Sequence, residues 1–375
     1  MRILLTGGGT AGHVNPALAI AATIKERRPD AEIAFVASAQ PTDKAVDLVP
    51  RAGYPLHTVH IRGLARPVWS PSNLKVPFLM VRSKTEADKI IDAFCPDLIV
   101  GTGGFACWPL CRMGVKRGIP TALHESNAIP GKAILRLADR VDAILVNFEA
   151  TIDRLGKVSD RSRIIRVGNP IMPGFARISR DIARRELGLS PDDVFILSFG
   201  GSSGAEYLND AVVNLAATLA GKAHSRVTLC HAAGKRDYDR IRAAWDQTPA
   251  GGLSRLSLLD YIYDMPLRMA AADLVISRAG AMSLSELALL GKAAVLVPSP
   301  YVAEQHQLKN AMAMVNAGAA ACVEEHTLST GALTDRVTSL LTDPAARTAM
   351  SDAIRPFACP DANDRIYDHL MAICR

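Results

Sequence analysis

Arg2-Ile3-Leu4-Leu5-Thr6-Gly7-Gly8-Gly9-Thr10-Ala11-Gly12-His13 opens the chain as a short apolar run, a glycine-rich turn and the start of a helical pattern. The same plan returns where Asp97-Leu98-Ile99-Val100 leads into Gly101-Thr102-Gly103-Gly104. In the other half, Val194-Phe195-Ile196-Leu197-Ser198 leads into Gly200-Gly201-Ser202-Ser203-Gly204, and Asp273-Leu274-Val275-Ile276 precedes Gly280-Ala281-Met282-Ser283. Strand, glycine turn, helix is the geometry in which backbone N–H groups at a helix N-terminus face a phosphate. Two such pairs, half a chain apart, predict two nucleotide-type α/β domains bordering a cleft.

Further apolar runs at 32–37, 56–61, 121–124, 143–146 and 164–167 alternate with longer helical patterns such as 17–27, which is βα repetition with a parallel sheet. The turn-rich Gly168-Asn169-Pro170-Ile171-Met172-Pro173-Gly174 then interrupts the alternation. It marks an interdomain hinge, giving a first domain over 1–168 and a second over 169–355. The second half repeats the plan with strands expected at 194–199, 227–231, 256–259, 274–277, 294–297 and 320–323. The last segment, 356–375, is helical in character and is expected to cross back to the first domain.

At 375 residues, 49% hydrophobic and 21% charged, the chain is long enough for two cores. No apolar run approaches the roughly 20 residues of a membrane-spanning helix, and Met1-Arg2 leads into a strand rather than a signal peptide, so a cytoplasmic protein is expected. Seven cysteines without a C-x-x-C pair give neither a disulfide framework nor zinc-ligand spacing, and are read as reduced and mostly buried. The net charge of +6 is modest, but its distribution is uneven. Between Arg51 and Thr85 there is no acid, while Arg62, Arg66, Lys75, Arg82 and Lys84 stand among Trp69, Leu74, Val76, Phe78 and Leu79. That is either a membrane-surface patch or a packed segment with a solvated basic rim. Nucleic acid is disfavoured, because aromatics interleaved with the basic residues are nearly absent.

Gly7, Gly9 and Gly12 fit the dinucleotide fingerprint, but the strand that should end on a ribose-binding acid ends Val36-Ala37-Ser38-Ala39. A dehydrogenase is therefore a distant alternative, and no glycine-lysine pair followed by Ser or Thr supports a P-loop. His13, at the exit of the first turn, suits a base kept neutral by the helix dipole, or else a capping or packing histidine. Ser203 to Glu206 and Ser283 to Glu286 each fit a capping box; alternatively one helix start holds a diphosphate and Glu286 accepts bonds from a ribose diol. Asp237-Tyr238-Asp239 has the D-x-D spacing of metal-dependent sugar-nucleotide enzymes, but between Lys235, Arg236 and Arg240 it reads as a solvated face, and no metal site is expected.

Six stretches taken together are more specific than any one glycine loop. They are Gly8 to His13, His124-Glu125-Ser126-Asn127, Gly200 to Ala205, Tyr261 to Met265, Ser277 to Glu286, and His306-Gln307-Leu308-Lys309-Asn310-Ala311. In these the chain resembles the MurG family, the peptidoglycan GlcNAc transferases of glycosyltransferase family 28. The resemblance implies a GT-B fold, two Rossmann-like parallel-sheet domains facing across a cleft, with the acceptor mainly on the N-terminal domain and UDP-GlcNAc mainly on the C-terminal one. It implies inverting transfer of GlcNAc to the C4 hydroxyl of MurNAc in undecaprenyl-pyrophosphoryl-MurNAc-pentapeptide (lipid I), giving lipid II, without a cofactor and on the inner face of the cell membrane. Under the resemblance His13 is the base; Ser202 and Ala281, Met282 and Ser283 meet the diphosphate, and Ile262 the uracil. Glu286, beside Leu284 and Ser285, meets the ribose, and Asn127 and Gln307 hold the GlcNAc. Thr10, Ala11 and Gly12 line the cleft, and Gly103, Gly104, His124 and Glu125 are acceptor-side candidates. Trp69, Val76, Phe78 and Leu79 match the family's membrane-facing region, and other cell-wall synthesis proteins are possible partners.

Two departures stand out. Many members carry Arg where this chain has Met172, which puts donor affinity in question, and Ala11 stands where Gly is frequent. The competing expectations are a GT-B transferase acting on another lipid or small acceptor, and a non-catalytic nucleotide-binding protein. Intact His13, Glu286 and Gln307 speak against the second.

Overall fold

The computed structural model describes residues 1–63, 69, 73–74, 76–156, 158–201, 205–302 and 305–374. The chain forms two compact units, 1–173 with 359–375, and 174–358. The division thus falls a few residues after the turn at Gly168. The reason is local: the Asn363 amide accepts the Ile171 N–H at 3.0 Å and donates to the Ile171 carbonyl at 2.8 Å, tying the turn segment to the first unit.

In the first unit seven parallel strands run β1 (Arg2–Thr6), β2 (Glu32–Ser38), β3 (Leu56–Val59), β4 (Leu98–Gly101), β5 (Thr121–Glu125), β6 (Ala143–Val146) and β7 (Ile164–Arg166). Their spatial order is β3-β2-β1-β4-β5-β6-β7. Both faces of the sheet are covered, as the near-continuous apolar strands require. Leu4 points into one core with Ile99, Leu110 and Leu123, while its neighbours Ile3 and Leu5 point into the other with Ile20, Ile24 and Leu98. Ile366 and Leu370 of the last helix, Ala362–Ile373, join the second of these cores against the Ala11–Arg27 helix.

The second unit has six parallel strands, β8 (Val194–Phe199), β9 (Val227–Ala232), β10 (Leu256–Leu259), β11 (Leu274–Ser277), β12 (Ala294–Leu296) and β13 (Ala321–Cys322), in the order β10-β9-β8-β11-β12-β13. In each sheet the strand order reverses at one place, between β1 and β4 and between β8 and β11. Ligands of open parallel sheets bind in the crevice beyond the carboxyl ends of the strands at such a switch point. This topology brings each pair of glycine turns together, although about 80 to 95 residues separate the members in sequence.

Three sequence expectations need correction. The first helix begins at Ala11, within the glycine turn rather than at its exit by His13, and carries Pro16 inside it. Asp237 is not on a solvated face: it is 9% exposed, and its Oδ2 accepts from the Asn209 amide at 2.9 Å and from Arg240 at 3.2 Å. The capping box at Ser283 does not form, because the Ala281–Leu290 helix starts two residues earlier behind Gly280. Ser203 of the other expected box lies outside the described residues.

Candidate active site

In the first unit the site is built where β1 and β4 end. The Thr102 N–H donates to the Thr6 carbonyl at 2.8 Å, which carries the strand pairing one residue beyond the sheet. From there the Thr102 carbonyl meets His13 Nδ1 at 3.1 Å, and the Thr102 hydroxyl donates to the His13 carbonyl at 2.6 Å. A carbonyl oxygen only accepts, so Nδ1 carries the ring proton and the neutral imidazole keeps its lone pair on Nε2. His13 is the third residue of the Ala11–Arg27 helix and is half-buried. Among the described residues no side chain caps that helix, and it has no acid in its first turn.

The glycines here are dictated by close approach. A Cβ on Gly7 would lie 2.1 Å from Thr102 Oγ1, one on Gly103 2.6 Å from His13 Nδ1, and one on Gly104 2.3 Å from the Gly8 carbonyl oxygen. Gly103 and Gly104 also have φ of +108° and +83°, a region that favours glycine. The first turn is held from outside by Asp43, a residue the sequence reading did not single out. Its Oδ1 accepts the N–H groups of Gly9 at 2.7 Å and Ala45 at 3.0 Å, and its Oδ2 accepts that of Ser38 at 3.2 Å. Thr10 and Gly12 are exposed and Ala11 is half-buried, so the turn remains accessible within its own unit.

At the end of β5, His124 and Glu125 are both held by partners inside the fold. His124 is fully buried; its Nε2 donates to the Gly168 carbonyl at 3.0 Å, and burial takes its pKa down to about 4. Glu125 is 3% exposed. Its Oε1 accepts the backbone N–H and side-chain amide of Asn127 at 2.9 and 3.0 Å, and its Oε2 accepts the Gly131 N–H at 2.8 Å. The acid therefore shapes the 125–131 loop and aims Asn127, whose carbonyl is also held by Thr151 Oγ1 at 2.9 Å.

The membrane-patch candidates divide. Trp69 is 85% exposed and Phe78 69%, joined by Leu74 and Val81, whereas Leu79 is half-buried. Val76 is 8% exposed, so it belongs to the packed side of the Val76–Phe94 helix and not to an outward patch.

In the second unit the Ala281–Leu290 helix follows β11 and is apolar nearly all round, as befits a helix buried between neighbours. No side chain among the described residues caps its N-terminus at Gly280, and the helix dipole places positive backbone character at this end. Leu284 is buried, and the Ser285 hydroxyl donates back to the Ala281 carbonyl at 3.0 Å. Glu286, one turn in, is 9% exposed, has no hydrogen-bond partner among the described residues, and burial pushes its carboxyl up to about 8.

Ile262 is buried in the turn after β10, and the rings of its chain neighbours Tyr261 and Tyr263 pack on each other in a tilted contact at 4.8 Å. Gln307 accepts the Ser299 N–H at 2.9 Å through Oε1, and its amide N–H groups make no hydrogen bond among the described residues. Asn310 on the same helix, His306–Asn316, donates to the Ala279 carbonyl at 3.1 Å and fixes that helix against the turn after β11. Arg278, assigned no role from the sequence, donates to the Val297 carbonyl at 3.1 Å and pairs with Glu325, whose side chain is 7% exposed. Ser202 lies outside the described residues.

Comparison with known proteins covers both units. Residues 3–146 match the glycosyltransferase family 28 N-terminal domain and residues 195–366 its C-terminal domain. A protein of Acetivibrio thermocellus named UDP-N-acetylglucosamine--N-acetylmuramyl-(pentapeptide) pyrophosphoryl-undecaprenol N-acetylglucosamine transferase is 36% identical over all of this chain and 99% of its own length. The protein of the same name from Desulforudis audaxviator is 37% identical over 98% of this chain and 97% of its own length. Among solved structures, MurG of Acinetobacter baumannii superposes with a TM-score of 0.69 at 24% identity over 99% of both chains. The S. aureus MnaA-UDP co-structure follows at 0.67 and 14%, covering 99% of this chain and 96% of its own. With full-length relatives above a third identity and both domain patterns in order, the chain is a glycosyltransferase of the GT-B fold and belongs to the MurG family of glycosyltransferase family 28.

Proposed function

We propose that this enzyme transfers GlcNAc from UDP-GlcNAc to the C4 hydroxyl of MurNAc in undecaprenyl-pyrophosphoryl-MurNAc-pentapeptide, forming lipid II with inversion at the anomeric carbon. The names of its full-length relatives support donor and acceptor. The observation that carries the mechanism is the bond between His13 Nδ1 and the Thr102 carbonyl, which leaves Nε2 as a proton acceptor. In a single displacement the acceptor oxygen bonds to the anomeric carbon as the bond from that carbon to the diphosphate oxygen breaks. The hydroxyl proton passes to His13 Nε2, and UDP departs with the bonding electron pair. No protein nucleophile is needed, only a base, alignment and stabilisation of the leaving group.

In this reading the N-terminal unit supplies the base and the acceptor side, and the C-terminal unit holds the donor. The backbone at Ala281 to Ser283, together with Ser202, takes the diphosphate. Glu286 takes the ribose diol and the Ile262 turn the uracil. Asn127 and Gln307 position the sugar, with Thr10, Ala11 and Gly12 beside it. Met172 is half-buried against the first unit's core, so an arginine's charged contact to the donor is missing at that position.

The acceptor is anchored by a polyprenyl chain, and the exposed Trp69 and Phe78 beside basic residues suit peripheral attachment to the inner face of the cell membrane. No helix among the described residues is long and apolar enough to cross a membrane.

The test is transfer of radiolabelled GlcNAc from UDP-GlcNAc to a short-chain lipid I analogue, with His13→Ala in parallel. Transfer by the native enzyme and its loss in the variant, with UDP binding retained, is the expected result. Donor binding without transfer by the native enzyme would refute the acceptor assignment.

A further inference from the structure

We propose that Thr102 is a positioning residue for the reaction, a two-point clamp that sets both the tautomer and the orientation of the His13 ring. The inference rests on the reading of His13 as the base. Thr102 touches His13 at two places far apart on that residue: its carbonyl takes the ring Nδ1–H at 3.1 Å, and its hydroxyl donates to the main-chain carbonyl at 2.6 Å. One contact alone would leave the ring free to swing about its side-chain torsions. Two contacts from one rigid residue fix the ring relative to its own backbone. Thr102 is itself rigid, being 2% exposed and tied to the end of β1 through the Thr6 carbonyl at 2.8 Å.

The surroundings are cut to this clamp. Gly7 leaves no room for a Cβ, which would stand 2.1 Å from the Thr102 hydroxyl and 2.4 Å from the His13 carbonyl oxygen. Gly103, at φ +108°, likewise has no room for one beside Nδ1. A hydroxyl in this place does what a methyl cannot, since Val at 102 would keep the volume and lose the donor. The clamp's chemical consequence is the tautomer: with Nδ1 protonated against a carbonyl, Nε2 accepts the substrate proton without prior rearrangement. A base turned away by an ångström loses rate steeply, while donor binding on the other unit is untouched.

Two measurements on the full chain test this. Long-range ¹H–¹⁵N correlation of the ring nitrogens should find neutral His13 protonated at Nδ1; a neutral ring protonated mainly at Nε2 overturns the proposal. In the transfer assay, Thr102→Val should lower kcat on the order of tenfold with the KM for UDP-GlcNAc unchanged, and should increase the Nε2–H form, while Thr102→Ser restores both. Native kcat in Thr102→Val overturns the hydroxyl's role; should that variant fail to fold, the native tautomer and Thr102→Ser decide. His13→Ala, run alongside, keeps the two readings apart. If it retains transfer, the base assignment fails; if it loses transfer while Thr102→Val is unimpaired, only the clamp fails.

Discussion

The Asp43 carboxylate accepts the Gly9 N–H at 2.7 Å, joining the first glycine turn to the start of the next helix 34 residues on. The acid is 4% exposed and accepts from three backbone N–H groups in all, so it replaces water for the turn that precedes His13. Gly8 passes so near that a Cβ there would lie 2.6 Å from Asp43 Oδ2.

Asp43→Ala leaves those three donors buried without their acceptor. A loss of about 3 kcal/mol in urea unfolding of the first unit is expected from the removal of charge-assisted bonds. The rate of transfer should fall by at least tenfold with UDP affinity unchanged, because the residues proposed to bind the donor lie mainly on the other unit. Unchanged transfer by a folded Asp43→Ala enzyme would mean that the turn needs no support.

The sheets, their parallel order and the two-unit plan were legible because buried parallel strands are apolar on both faces and glycine turns mark their ends. The bond between Gly9 and Asp43 was not legible, since nothing local in Thr42-Asp43-Lys44 marks a partner so far away; only the Asx-type bond to Ala45 has a sequence signature. His124 and Glu125 lie within a stretch that carries the resemblance, yet each is held inside the fold, which pattern alone does not distinguish from facing a ligand. The Ser283 capping box failed for a different reason. Gly280 in extended conformation lets the helix begin early, and the serine falls inside it.

If Glu286 binds the ribose as proposed, donor binding carries a pH signature. Its carboxyl, ordinarily near 4.5, is pushed up to about 8 by burial, so the free enzyme holds it mostly protonated at pH 6.5. A ribose diol donating two hydrogen bonds favours the ionised form, and UDP binding should therefore release close to one proton. Calorimetry at pH 6.5 in buffers of different ionisation enthalpy reads this directly. Glu286→Gln should abolish the buffer dependence and weaken UDP binding by about tenfold or more, as loss of hydrogen bonds to a charged group does. Buffer-independent enthalpy in the native enzyme would remove Glu286 from the ribose.

The same group acts on stability with a definite sign. A folded-state pKa above the unfolded one means that the native protein binds the extra proton, so stability is fully present below about 4.5 and is lost as pH rises towards about 8. The second unit's melting temperature should therefore fall across that window in the native chain and fall less in Glu286→Gln. Equal slopes for the two would contradict the burial argument.

Glu125→Gln tests the 125–131 loop. The glutamine oxygen still accepts from Asn127, but its amide then meets the Gly131 N–H donor to donor, where Oε2 now accepts at 2.8 Å. A stability loss of about 1–2 kcal/mol is expected from the unpaired donor. The kinetic effect should fall on the KM for UDP-GlcNAc, through misplaced Asn127, more than on the affinity for UDP, which lacks the sugar. Equal weakening of UDP and UDP-GlcNAc would detach Asn127 from the sugar.

Membrane attachment is the remaining quantity that the surface predicts. Phe78 and Val81 stand outward on the Val76–Phe94 helix at 69% and 60% exposure, with Trp69 and Leu74 exposed just before it. Arg82 is already paired with Glu86 at 2.8 Å, so part of the basic rim is neutralised and apolar contact must carry much of the affinity. Replacing Phe78 by Ser removes a side chain whose burial is worth about 2 kcal/mol, or roughly 30-fold in partitioning. Sedimentation with vesicles containing anionic lipid should show that loss. Added salt should weaken binding of the native and variant chains by similar factors, because the charges are the same. Val76→Ala should leave partitioning unchanged while costing stability, because Val76 faces the interior. Transfer to a short-chain, water-soluble acceptor should be native in Phe78→Ser, since only delivery of the anchored substrate depends on the surface. If the variant sediments like the native chain, the exposed aromatics of this segment do not meet the bilayer, and attachment must be sought elsewhere on the protein.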